Sequence, residues 1–301
     1  MGRIRYRVGS GGSRLSLIQT RQVIDLLQSF DTESEFKIEI VSSGEEATHP
    51  QLVSTAELER ALIDKRVDIA VHAAKDLPIR GLPGVTIAAY MMRLDPRESL
   101  ISQRNEVLND LPPGSIVGTK TDLQRCQLSH LRGDLKFIQL EGPFDLQIKK
   151  VRHGEINAVI LSNAGLIRLG LTNEAAQIFP LELVMPVAGQ GALALQCRHN
   201  DMRCVELLEL VNHESTAWAV LAERDVLKRL EDLGRLCIGI NASFPQAKLL
   251  LQALIIDPVS GRRFKVEGQE QPKQWDILAK TIAEKLTKLV QQGPLPADRP
   301  V

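Results

Sequence analysis

The chain has 301 residues, 44% hydrophobic and 25% charged, enough for two or three domains with cores of their own. Lys plus Arg and Asp plus Glu both total 37, so no net field exists to hold nucleic acid or an anionic membrane. An aromatic content of 4% leaves few rings for base stacking. The N-terminal MGRIRYRVGSGGS lacks the apolar core of a signal peptide, and no apolar run is long enough to span a bilayer. A cytoplasmic protein is therefore expected. Cys126, Cys197, Cys204 and Cys237 form no C-x-x-C pair, which points to reduced thiols.

The first half alternates short β-rich runs with amphipathic helical runs. Ile4–Val8 reads as a strand. Ser13 caps a helix running to about Ser29, with Leu15, Ile18, Val23 and Leu26 or Leu27 inward. Phe36–Val41 alternates as a half-buried strand, Ala56–Lys65 is helical and Val67–Val71 is a buried strand. The pattern returns as strand Ile116–Thr119, helix Leu123–Leu131, strand Phe137–Leu140, helix Phe144–Val151 and strand Ala158–Leu161. Such alternation predicts an α/β fold with mainly parallel sheets. The tail differs. Leu249–Ile256 and Arg262–Glu267 read as strands paired through the turn at Asp257–Gly261. A helix from about Gln274 to Gln292 follows, making a small α+β domain, and the Pro-rich end from Gly293 reads as frayed.

Several short motifs stand in a specific order: Val71-His72-Ala73-Ala74-Lys75-Asp76-Leu77-Pro78, Asp95-Pro96-Arg97-Glu98, Ile116-Val117-Gly118-Thr119, Ala164-Gly165-Leu166-Ile167-Arg168-Leu169-Gly170, Pro186-Val187-Ala188-Gly189-Gln190-Gly191-Ala192 and Ala222-Glu223-Arg224. In these motifs, from about Ile4 to Leu289, the chain resembles the porphobilinogen deaminase (hydroxymethylbilane synthase) family. That resemblance implies two periplasmic-binding-protein-like α/β lobes joined by two crossovers, plus a small C-terminal α+β domain. The expected boundaries are 1–95 with 190–210, 96–189, and 211–301. It implies a place in tetrapyrrole (haem and sirohaem) metabolism, where the family polymerises porphobilinogen on a dipyrromethane cofactor.

The resemblance also assigns roles. Asp76 matches the family acid beside the pyrrole nitrogens, where a carboxylate stabilises a cationic intermediate and assists proton transfer. Read alone, Asp76 also suits a turn. Lys75 matches a lysine that binds substrate carboxylates, and Ser13 and Gln19 match positions near the substrate. Thr119 matches a backbone position near the cofactor, where Lys120 and Thr121 replace two serines. His72 reads as a structural histidine at a strand end.

Other family positions are changed. The family cysteine that carries dipyrromethane falls on Gly234, within Leu230-Glu231-Asp232-Leu233-Gly234-Arg235-Leu236-Cys237. Cys237 lies three residues further on, and serves as an anchor only if an extended loop is rebuilt; otherwise it is a buried apolar residue. Arginines expected to clamp substrate carboxylates fall on Gly11, Leu123, Gln124, Glu141 and Gln147, each such bond being worth roughly 1.5–3 kcal/mol. Arg125 and Lys120 are the candidate compensating cations. The segment Gly44 to Gln51 is shorter than the family's cleft-covering loop. Ser54 stands where a cleft phenylalanine is expected, and Ala73 replaces a serine.

Three readings follow: a divergent member without dipyrromethane, holding a small pyrrole-derived or other anionic ligand or supporting a protein partner of the pathway; a working synthase anchored at Cys237; and a non-catalytic two-lobed binding protein. No metal site is expected.

Overall fold

The computed structural model describes residues 4–42 and 53–292. The shortened 44–51 segment and the tail from Gly293 lie outside them.

The first lobe begins with β1 (Arg5–Ser10), α1 (Arg14–Phe30), β2 (Glu35–Ile40), α2 (Thr55–Ile63), β3 (Ile69–Ala73) and β4 (Val85–Tyr90). The chain then crosses to the second lobe and forms β5 (Glu98–Ser102), β6 (Ile116–Thr119), α3 (Asp122–Leu131), β7 (Lys136–Gln139), α4 (Phe144–Arg152), β8 (Ala158–Ser162), α5 (Asn163–Leu169) and β9 (Gln177–Ile178). A second crossover returns it to the first lobe for β10 (Leu193–Arg198) and α6 (Met202–Glu209). The third domain holds α7 (Glu214–Arg229), β11 (Cys237–Ser243), β12 (Leu249–Ile256), β13 (Arg263–Glu270) and α8 (Trp275–Gln291).

The sheet orders are β2-β1-β3-β10-β4, β7-β6-β8-β5-β9 and β11-β12-β13. The expectation of mainly parallel sheets needs correction. β1 runs parallel to β2 and β3, and β6 to β7 and β8, but β10 is antiparallel to β3 and β4, and β5 to β8 and β9. The reason is connectivity. β5 and β10 are each the first strand after a crossover from another lobe, so no helix of their own lobe obliges them to run parallel.

Each lobe buries apolar faces on both sides of its sheet. In the first lobe Val8, Ile69 and Leu195 pack against Val23 and Leu27 of α1, while Leu58, Ala61 and Leu62 of α2 close the other face over Val67 and Ala70. In the third domain, Leu278, Ile282 and Leu286 of α8 pack on Leu251, Ala253 and Ile255 of β12. A smaller cluster joins the second lobe to the third domain: Leu123, Met185, Cys237, Leu254 and Ile256, with Cys126 and Val187 against it.

The crossovers meet at one buried acid. Glu223 of α7 has a fully buried side chain and accepts from Arg93 Nη1, Gly189 N and Ala242 N, each at 2.6 Å. One carboxylate thus ties both crossovers to β11. Gly191 fixes their approach: at φ 90° an added Cβ would lie 2.4 Å from the Leu94 carbonyl oxygen.

Candidate active site between the lobes

A cavity of about 720 Å³ lies between the two lobes. Its first-lobe wall comes from the start of α1, the start of α2 and the turn after β3. Its second-lobe wall comes from the loops after β6 and β7 and from α5.

The α1 start is set by Ser13, whose Oγ accepts from Ser16 N at 3.1 Å and lies 2.7 Å from Ser16 Oγ. Ser54 caps α2 in a reciprocal box with Glu57, so a capping serine occupies the place of the expected cleft phenylalanine. The turn carrying Lys75 and Asp76 follows β3 because Leu77-Pro78 cannot extend the strand. Arg224 of α7 pins that turn by donating to the carbonyls of Leu77, Pro78 and Ile79.

Among the described residues, two ion pairs span the cavity. Lys120 Nζ lies 3.6 Å from Asp76 Oδ1, and Arg14 Nη1 lies 3.5 Å from Asp145 Oδ1. Lys75 Nζ donates to Gln190 Oε1 at 3.0 Å, and Gln190 Nε2 donates to the Pro96 carbonyl, so this lysine is held against the hinge. Burial pulls the Lys75 pKa down from its ordinary value, while Asp76 and Glu98 oppose the shift. Arg168 on α5 donates to the Gly191 carbonyl at 2.9 Å, and burial lowers its pKa to about 10. Its Nε has no partner among the described residues. Asp76, Lys75, Lys120 and Arg168 therefore line one cavity, with three cations and one acid available to orient a carboxylate-bearing ligand and handle a proton.

Ser13, Gln19 and Ala73 also line the cavity. Thr119 is not among its lining residues; it is 3% exposed, and its carbonyl accepts from Leu140 N. Arg125 does not line it either. Its guanidinium pairs with Asp122 on α3 at 2.8 Å, a neighbour one helical turn away, so it is not brought to the site as a compensating cation. Among the positions where arginine was expected, Glu141 and Gln147 line the cavity, whereas Leu123 sits in the apolar cluster beneath the third domain. Gln124 is turned inward, donating to Glu98 Oε1 and accepting from Lys120 N.

Sequence reasoning missed Arg168, Arg14 and Glu59 as cavity residues. Arg168 stood within a quoted motif and lies in the last turn of α5, a helix not read from the sequence. Arg14 and Glu59 carried no signal separable from ordinary helix-surface charge.

The segment after α7 is also now placed. Gly234 is exposed, with φ 84° and ψ −157°, and Cys237 is the first residue of β11, paired with Ile256 in register. Cys237 is therefore a buried residue in a strand and not part of a rebuilt extended loop. The ladder to β12 reaches back to it because Ile256 and Leu254 bury against the second lobe.

A family model described as porphobilinogen deaminase, dipyromethane cofactor binding domain, matches residues 6–206. The chain belongs to the porphobilinogen deaminase family. A porphobilinogen deaminase of Brevibacillus brevis is 34% identical over 270 residues, covering 87% of each chain. One of Desulforudis audaxviator is 37% identical over 291 residues, covering 94% of each. Among solved structures, an arginine-specific periplasmic binding protein of Salmonella typhimurium aligns with 71% of this chain and 94% of its own, with a TM-score of 0.42 and 9% identity. The porphobilinogen deaminase family serves tetrapyrrole synthesis, and its cofactor domain is the portion matched here. No described helix is long and apolar enough to cross a membrane.

Proposed function

We propose that this chain is a divergent porphobilinogen-deaminase-family protein of tetrapyrrole metabolism that does not run the dipyrromethane-dependent polymerisation. In this reading it holds a small pyrrole-derived or other anionic ligand between its lobes.

The observation that carries the reading is at Gly234. The family's anchoring cysteine falls there, yet the backbone adopts φ 84° and ψ −157°, a region that essentially only glycine occupies. The segment therefore lacks a thiol and is also shaped against a side chain. Cys237 is a poor substitute. It is 6% exposed, its Sγ is 3.3 Å from Cys126 Sγ, and it lies among Leu123, Met185, Leu254 and Ile256 rather than on the cavity wall. A dipyrromethane carries acetate and propionate groups. Burying these carboxylates among apolar side chains, where the nearby Arg125 is already paired with Asp122, costs about 3 kcal/mol or more by the general penalty for unpaired buried charge. These residues do not fit the cofactor.

What the cavity retains suits a small anion. Lys75 on the first-lobe wall and Lys120 and Arg168 on the second-lobe wall supply positive charge, and Asp76 is placed among them to orient an amine or pyrrole N–H or to accept a proton. Glu141, on the second-lobe wall with Lys120 and Arg168, opposes the accumulation of carboxylates that a growing chain of pyrroles would bring.

The test is an intact mass of the purified protein before and after exposure to porphobilinogen and preformed hydroxymethylbilane, alongside an assay for hydroxymethylbilane. An unmodified mass, no product and a ligand-dependent rise in Tm support the reading. A dipyrromethane mass mapped to Cys237, lost in Cys237→Ala together with turnover, sinks it in favour of a relocated anchor.

A further inference from the structure

The sulfurs of Cys126 and Cys237 are 3.3 Å apart, although the residues are 111 positions apart in sequence and belong to different domains. We propose that they form an oxidative modification site, at which a peroxide-class oxidant creates a disulfide that ties the third domain to the second lobe.

The surroundings prepare this reaction. Both residues belong to the apolar contact between the second lobe and the third domain, so packing holds their backbones in place. A disulfide S–S bond is about 2 Å long, and side-chain rotation closes the remaining gap. The two thiols are unequal. Cys126 is partly exposed and meets the oxidant first. Cys237 is buried, and burial together with Cys126 pushes its pKa up to about 12, so it stays a thiol until a partner sulfur is activated beside it.

The chemistry balances. The Cys126 sulfur attacks one peroxide oxygen, the O–O bond breaks, and one water leaves, giving a sulfenic acid. The Cys237 sulfur then attacks the sulfenic sulfur. An S–S bond forms, the S–O bond breaks, and the hydroxyl departs with the Cys237 proton as a second water. Two thiols are oxidised and one peroxide is reduced. Cys197 and Cys204 provide the contrast. Both are fully buried, on β10 and α6 of one lobe, where an oxidant has no path.

The crosslink would act on the segment at issue. Cys237 directly follows residues 230–236, and Cys126 lies one turn beyond the α3 start that adjoins Lys120. Oxidation would fix these two against each other and use up the remaining thiol near the anchor position. A thioether on Cys237 and this disulfide are mutually exclusive.

The experiment treats the full-length protein with hydrogen peroxide, alkylates free thiols and maps non-reduced peptides. The expected result is a Cys126–Cys237 linked peptide, an intact mass lower by two hydrogens, reversal by a thiol reductant and a Tm raised by roughly 5 °C or more. Cys197 and Cys204 should remain alkylatable after unfolding. Cys126→Ser and Cys237→Ser should each abolish the linked peptide; the former, at a partly exposed position, keeps the fold if the latter does not. Sulfinic acid on Cys126 with Cys237 still alkylatable, or a crosslink that leaves Tm unchanged, overturns the proposal. A dipyrromethane on Cys237 would overturn both this proposal and the preceding one. Failure to crosslink with an unmodified mass overturns this one alone.

Discussion

Lys120 reaches from the second lobe to Asp76 of the first, Nζ to Oδ1 at 3.6 Å, so the family acid is paired with a cation on the opposite lobe. Both side chains are about half exposed, and solvent screening keeps such a pair's contribution to stability below about 1 kcal/mol. Its consequence is for the ligand. Asp76→Asn frees Lys120 and removes a like charge, so binding of a small pyrrole carboxylate should tighten severalfold. Lys120→Gln should weaken it by about tenfold, the loss of one charge-assisted hydrogen bond. Calorimetric titration of both variants checks the opposite signs.

Glu141 lines the cavity where an arginine is expected. Glu141→Arg should raise affinity for hydroxymethylbilane by about tenfold or more, since one repulsion is exchanged for one attraction. Glu141→Gln should give part of the gain. Equal affinities across the three proteins would mean that this wall does not meet the ligand's carboxylates.

Gly234 occupies a backbone region closed to side chains although the space around it is open. Gly234→Cys should therefore destabilise the protein by about 1–3 kcal/mol through backbone strain alone. Restoring the thiol by this one change should not restore a covalent cofactor. Denaturant unfolding and intact mass read the two effects separately.

His72 is 4% exposed on β3, and burial lowers its pKa to about 4, against smaller opposing effects of Gln196 and Asp76. The unfolded chain holds this proton below about pH 6.5, whereas the folded chain takes it only near pH 4. The unfolded state thus binds more protons within that window. Stability present above pH 6.5 should be lost as pH falls towards 4, by up to about 3 kcal/mol from this residue. His72→Gln should flatten that part of the stability curve.

Glu223 accepts three hydrogen bonds at the junction of the crossovers and β11. Glu223→Gln leaves Arg93, whose side chain is 10% exposed, without its counter-charge. A loss of about 3–5 kcal/mol is expected, read as a lower denaturant midpoint. Arg229→Gln, which breaks a more exposed pair with Asp225, should cost much less.

Local patterns in the sequence were enough to define five of the helices, α1 to α4 and α8, and several strands, while α5, α6 and α7 were not read from it. Ser13 as a cap, the inward stripe of α1, and the hairpin of β12 and β13 all follow from interactions within a few residues, which composition and spacing encode directly. The quoted motifs likewise carried the family. β5 and β10 were not read as strands, and their direction was not legible, because it depends on which lobe the chain has just left. The site was legible in part for the same reason. Lys75 and Asp76 announce themselves in one short motif, but their partners Gln190 and Lys120 are distant in the chain and meet them only when the crossovers bring the lobes together. Nothing around Arg125 marks it as bound to Asp122 rather than facing a ligand, and nothing around Cys237 indicates that its sulfur meets Cys126. The sequence determined the missing thiol at position 234, since glycine has no side chain in any fold. Only tertiary structure decided where the remaining thiol points, because side-chain direction is set by long-range packing of β11 against the second lobe.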